Sequence, residues 1–185
     1  MLDRIVQDRR KEIAQRWVEL VFASYPDETS RFLRKERDPF SNPVGRLVRE
    51  SAEPLVNALA CGQPDQKAME SLDWLMRLRS VQDLTAAEAV SVIPLLRRAT
   101  LDVAADALGG SGQEGVLELV ERVERLTLAA FGVFTACREQ LYEVRARELA
   151  RRQSTLIKRA EELLAEKQEK RETKADREDG PPSFS

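Results

Sequence analysis

The side chains that could do chemistry in this chain are two thiols, Cys61 and Cys137, a large set of carboxylates, and one dense polar group formed by Arg77, Arg79, Gln82 and Asp83. No histidine accompanies them. That absence removes Ser-His and Cys-His nucleophilic machinery, because these nucleophiles depend on a neighbouring base for activation. It removes most zinc sites as well, since two cysteines cannot complete a four-ligand shell, and it excludes a haem held by a proximal histidine. Carboxylate chemistry survives in principle, but among 32 Asp+Glu a suitable pair arises by chance and no motif marks one. The reading is of a non-enzyme: no catalytic residue, no metal site and no cofactor. Cys61 and Cys137 have apolar neighbours and lie far apart, which suggests two buried thiols in a reducing compartment; a disulfide or redox pair is the alternative.

The elements that position these residues are helices. Val6, Ile13, Trp17, Leu20 and Val21 recur at helical spacing and predict one helix over residues 3 to 24, stopped at Tyr25-Pro26 by the proline ring. Trp17 and Tyr25 are candidates to line a sensory pocket, or else belong to the core as aromatics at this spacing usually do. A short helix carrying Phe32 and Leu33 follows. Asn42 and Pro43 then form an N-cap and first-turn pair, and Gly62 is suited to cap the same helix in the left-handed region. Pro54 is expected to kink it. Pro64 and Asp65 open a third long helix with Met69, Leu72, Leu75, Met76 and Val81 on its inner face. Thr85 and Glu88 have the spacing of a capping box, and the helix they start carries Pro94 as a second expected kink. Gly109 to Gly112 is a loop. No alternating pattern of useful length occurs, so no sheet is expected.

From about Val116 to Gly180 only Gly132 interrupts a helical composition. Tyr142, Leu149, Leu156 and Leu163 recur every seven residues there, with Gln153 in an alternate seam position where a polar residue sets register. This is either a dimerising or signal-transmitting helix or one packed on its own bundle. The organisation expected is a helical domain over 1–145, an exit helix over 146–170 and a charged, disordered tail over 171–185. In the polar group, Arg77 or Arg79 either pairs with a carboxylate to pin a helix junction or binds an anionic ligand or partner.

Hydrophobic residues at 42% are too many for a disordered chain, and charged residues at 34% suit a solvated helical surface. A net charge of −2 gives no basic excess for nucleic acid. The arginines from Arg145 to Arg159 are interleaved with Glu143, Glu148, Glu161 and Glu162, which marks a solvated helix rather than a polyanion site. The N-terminus has no apolar run and no stretch is long enough to span a bilayer, so a cytoplasmic location is expected.

Three segments together carry a resemblance. Arg16-Trp17 with Tyr25-Pro26 closes the first helix, Asp38-Pro-Phe-Ser-Asn-Pro-Val-Gly45 follows, and Arg77-Leu-Arg-Ser-Val-Gln-Asp-Leu-Thr-Ala-Ala-Glu-Ala-Val90 joins the third helix to the fourth. This set resembles the N-terminal domain family of the RsbR/RsbRD-type RsbT co-antagonist proteins of bacterial stressosomes, over roughly residues 1 to 145. The resemblance implies an all-α, globin-like but non-haem helical bundle that dimerises and leads through a long exit helix towards a STAS domain. The residues here stop short of one, so a stand-alone member is expected. Its implied function is that of a regulatory or sensor module acting through protein–protein contacts, with itself and STAS-type regulators as partners. The alternative it implies is an accessory or assembly factor of a membrane redox complex of sulfate- or sulfite-reducing bacteria, touching the membrane only through that partner.

Overall fold

In a computed structural model of the chain the described residues are 1–178 without Arg37, Pro39, Asp83 and Ser111, with side chains described through Lys167. Among them the chain forms α1 (Leu2–Asp8), α2 (Arg10–Ala23), α3 (Asp27–Lys35), α4 (Pro43–Cys61), α5 (Gln66–Ser80), α6 (Ala86–Val90), α7 (Leu95–Gly109) and α8 (Gly112–Glu178), and no strand. The fold is all-α. Residues 1–139 make up one compact unit and 140–185 a second.

The single helix expected over residues 3 to 24 is broken once. Arg9 leaves helical geometry with φ −109° and ψ 18°. Its guanidinium donates to the Val103 carbonyl at 2.7 Å and pairs with Asp106 at 3.1 Å, so the break is stabilised by α7, about ninety residues away in sequence. Beyond it Ile13, Trp17 and Val21 are fully buried at a spacing of four, with Ala14 and Phe22 beside them. That stripe packs on α4 and on α7, and α4 packs in turn on α1 and α5.

The start of α4 follows from its sequence. Asn42 is buried and accepts the Gly45 N–H at 2.7 Å, while its amide donates to the carbonyls of Glu36 at 2.9 Å and Leu33 at 3.2 Å. One side chain thus caps α4 and ties it to the end of α3. A Cβ at Gly45 would stand 2.3 Å from the Asn42 amide nitrogen, which is why glycine occupies that position. The other end closes at Gly62, in the left-handed region at φ 74°. Pro54, where a kink is expected, lies inside α4, which continues as a helix to Cys61. The missing proline N–H leaves the Glu50 carbonyl without its helical donor, but Glu50 is exposed and water can serve it.

Asp65 caps α5 by accepting the Ala68 N–H at 2.8 Å. The buried face of α5 runs Ala68, Leu72, Leu75, Met76 and Arg79. Met69 and Val81, expected on that face, are exposed, Val81 by 66%, because the 68–72–75–79 row turns them away. The helix expected to kink at Pro94 is instead two helices. Pro94 has no N–H to give the Val90 carbonyl, which accepts from Ile93 at 3.0 Å in a tighter turn, and Leu96 N–H then donates to Ile93 rather than Val92. The freed Val92 carbonyl accepts the Trp17 indole N–H at 2.8 Å. A second departure from helical geometry lies at Ala104 inside α7.

Within the first unit α8 buries Leu119, Val123, Leu126, Ala130, Phe134 and Cys137, spaced three and four apart. Cys137 is a buried thiol as expected, whereas Cys61, also expected buried, is exposed at the last turn of α4; both are free. In the second unit α8 continues to Glu178, inside the segment expected to be a disordered tail; the rest of that tail, 179–185, lies outside the described residues.

Candidate functional site

The polar group singled out in the sequence divides into an inner and an outer part. Arg79, in the last turn of α5, is only 4% exposed. Its Nε donates to the Ala89 carbonyl at 2.7 Å, one terminal nitrogen donates to the Tyr25 hydroxyl at 2.6 Å, and the other donates to the Glu88 carbonyl at 3.0 Å. The guanidinium also lies 5.5 Å from the Tyr25 ring centroid. Burial pulls its pKa down from the usual arginine value, an effect partly offset by Tyr25 and Glu88. Thr85 and Glu88 close the expected capping box: the Thr85 N–H and hydroxyl donate to the Glu88 carboxylate at 2.8 and 2.7 Å, and the Glu88 N–H returns a bond to the hydroxyl at 3.3 Å. Arg79 therefore joins α5, α6 and the turn after α2, and is spent inside the fold.

Arg77 points outward and pairs with Asp73 at 2.6 Å. Gln82 is half-buried and contributes its backbone to the turn, donating to the Arg79 carbonyl at 3.3 Å. Asp83 lies outside the described residues. The structure also separates the two aromatics. Trp17 sits in the core on Val92, while Tyr25 serves Arg79, a pairing across 54 residues that the sequence reading did not make.

A groove absent from the sequence reading lies where α2, α3 and α4 meet, with a volume of about 650 Å³. Ala14, Val18 and Phe22 of α2 and Ala52 of α4 contribute apolar lining, and Lys11, Glu19, Arg34, Arg49 and Glu53 contribute charge. Arg49 lies 5.0 Å from the Phe22 ring centroid and donates to the Leu33 carbonyl at 2.7 Å. Glu19 pairs with Arg16 at 3.1 Å and Glu53 with Arg10 at 3.8 Å, both cations outside the lining. Neither Trp17 nor Tyr25 lines this groove. The one sequence signal for it is that Lys11, Gln15, Val18 and Phe22 share an edge of α2 beside its buried stripe.

A second buried arginine closes the far end of α4. Arg122 donates to the carbonyls of Leu59 and Ala60, at 2.5 and 2.8 Å, and pairs with Asp3 at 2.6 Å and with Glu118. A cation at a helix C-terminus satisfies carbonyls that have no helical donor and opposes the negative end of the dipole. Burial lowers the Arg122 pKa, but its hydrogen bonds to Asp3 and Glu118 outweigh that and raise it. In the second unit Tyr142, Leu149, Leu156 and Leu163 are all exposed by more than half, and Gln153 is exposed among them. Arg147 pairs with Glu143 and Arg152 with Glu148 along the same helix.

The chain matches the RsbT co-antagonist protein rsbRD N-terminal domain over residues 11–149. It belongs to this family. No curated protein and no solved structure matches it. Membership makes the chain a regulatory domain of the stressosome-related kind. The matched stretch of this rsbRD N-terminal domain includes the Arg79 junction, the groove and the first heptad residues, Tyr142 and Leu149.

The titration of this rsbRD N-terminal domain follows from its side chains. Asp102 is held below the usual carboxylate range by its bond from Arg16, at 2.8 Å, and secondly by Arg98. Glu88 is lowered by the Thr85 N–H and hydroxyl, Asp38 by the hydroxyl and N–H of Ser41, and Asp106 by the Ala107 N–H and then Arg9. Burial raises the Cys137 thiol. Lowered carboxylates stabilise the fold above their unfolded pKa, about 4, and that stability is lost as pH falls through the folded values. The sequence holds no histidine, the side chain whose ordinary pKa lies nearest neutrality. Thermal unfolding followed by circular dichroism should therefore give a midpoint that is flat from about pH 5.5 to about pH 7 and falls below about pH 4. A midpoint that moves within the neutral window would show a titrating group this account lacks.

Proposed function

We propose that the chain is a non-enzymatic regulatory or sensor module that acts in the cytoplasm through protein–protein contacts, as a homodimer that docks STAS-type regulators. The observation that carries this reading is the exposed heptad row Leu149, Leu156 and Leu163 in the second unit. Three leucines exposed at a seven-residue spacing cost solvation unless a partner helix covers them, and a seven-residue period is what a left-handed helix pair requires. The regulatory family supports the same reading, as does a sequence without histidine to serve as a base. A globin-like, non-haem arrangement of the first unit is part of the proposal and rests on the family resemblance. Membrane contact only through a partner is part of the proposal; among the described residues no helix is long and apolar enough to cross a membrane.

The test is affinity purification of the tagged full chain from its native cells, with mass spectrometry of what accompanies it. Recovery of STAS-domain proteins or a switch kinase is the expected outcome. Recovery of membrane redox subunits in their place would replace the proposal with an accessory role in respiration.

A further inference from the structure

We infer that the groove between α2, α3 and α4 binds a small amphipathic organic anion, a carboxylate on a short aliphatic or aryl body. This gives the sensor half of the proposed function a ligand class and rests on that reading only for its biological purpose. Size is the first argument. A volume of about 650 Å³ falls within the range of small-molecule sites, roughly 300 to 1,000 Å³. The lining is the second. Val18, Phe22 and Ala52 provide an apolar floor, and Arg49 is held over the face of Phe22, 5.0 Å from its centroid.

Charge decides the class. The groove's two carboxylates are already matched by cations outside it, Glu19 by Arg16 and Glu53 by Arg10. Lys11 and Arg34, both exposed on the rim, form no ion pair among the described residues, and the Arg34 bond to the Glu19 carbonyl is long at 3.4 Å. Two unmatched cations above an apolar floor select a ligand that is anionic at one end and apolar at the other. Inorganic phosphate or acetate would meet the cations and leave the floor wet. An alkylammonium would cover the floor and be repelled at the rim.

Occupancy would bear on α3. That helix buries only Ser30 and Leu33, and the Leu33 carbonyl is what Asn42 and Arg49 hold. A ligand reaching from Lys11 on α2 and the α4 floor to Arg34 adds a further tie to this lightly held element, so its local opening becomes rarer.

The test uses the full chain with octanoate as probe, measured by titration calorimetry and by amide hydrogen exchange. The expected result is saturable binding at one site per chain, with exchange slowed in residues 27–35. Octylammonium and acetate should each bind at least about tenfold more weakly. The double variant Lys11→Glu, Arg34→Glu should weaken octanoate about tenfold or more, and Gln15→Trp, which fills the groove from an exposed position, should abolish binding. All three positions are exposed on helix surfaces, so the helical circular dichroism signal should be unchanged. Absence of saturable octanoate binding, equal affinity for octylammonium, or undiminished binding by either variant overturns the inference. Failure here alongside recovery of STAS-domain partners leaves the regulatory reading standing. Binding here with no such partner recovered leaves a ligand site whose output lies elsewhere.

Discussion

Replacing Arg79 with methionine is expected to destabilise the first unit by about 3 kcal/mol, measured by urea unfolding followed by circular dichroism. The magnitude comes from what the guanidinium leaves behind. It serves the Ala89 and Glu88 carbonyls and the Tyr25 hydroxyl at 2.6 to 3.0 Å, from a position almost wholly out of water. Methionine fills much of the volume but donates to none of these acceptors. The Glu88 carbonyl keeps the Ser91 hydroxyl at 2.7 Å, so the cost falls on the Ala89 carbonyl and the Tyr25 hydroxyl, at about 1 to 3 kcal/mol for each acceptor left unpaired. Partial relaxation of the α5–α6 turn towards solvent keeps the total near the lower part of the sum. Lysine should recover only a fraction, because one ammonium cannot hold three acceptors in the geometry of a planar fork. Tyr25→Phe should cost about 1 kcal/mol, since the ring stays beneath the guanidinium and only the hydroxyl contact is lost. An Arg79→Met protein with the wild-type midpoint would show that this arginine is not structural and would return it to the list of ligand or partner residues.

The second large effect is on assembly. The pair Leu149→Asp, Leu156→Asp is expected to convert a homodimer to a monomer, so the mass from light scattering falls from twice 21.0 kDa to 21.0 kDa. Both leucines are exposed in the second unit, and aspartates placed opposite one another across a helix pair add like-charge repulsion to the lost apolar burial. About three heptads make only a marginal coiled coil, so two charges within it should suffice. The midpoint of the first unit should be unchanged, because neither residue belongs to its core. A wild-type chain that is already monomeric at high concentration, or a variant that keeps the dimer mass, would remove the heptad row as the assembly surface and weaken the proposed function with it.

These two sites differ in how readable they are. The heptad row is a periodicity within one helix, legible from the sequence of that helix alone. Arg79 could be singled out only as a polar residue with two possible fates. Its spacing from Leu75 and Met76 puts it on the inner face of α5, unlike Arg77, but its partners are Tyr25, 54 positions upstream, and the carbonyls of Glu88 and Ala89, which no spacing within α5 names. Arg122 and the α2–α3–α4 groove were illegible for the same reason. One is completed by Leu59, Ala60 and Asp3, and the other exists only where three helices meet. The missing histidine was the opposite case, since it is a property of composition that no fold can reverse.

The sequence by itself determined the all-α class and most helix ends, because those signals act over three or four residues. Asn42 with Gly45, Asp65 with Ala68, Thr85 with Glu88 and the left-handed Gly62 are caps whose donors and acceptors sit in the same turn. Tertiary structure decided where helices break in their interiors and which charges are spent inside. Arg9 interrupts the first helix to reach Val103 and Asp106, Pro94 ends a helix where Trp17 takes the freed carbonyl, and α4 continues through Pro54, with the exposed Glu50 four residues before it. For Arg9 and Pro94 the deciding partner is a group some 75 to 97 residues away, and only packing brings that group within hydrogen-bond distance.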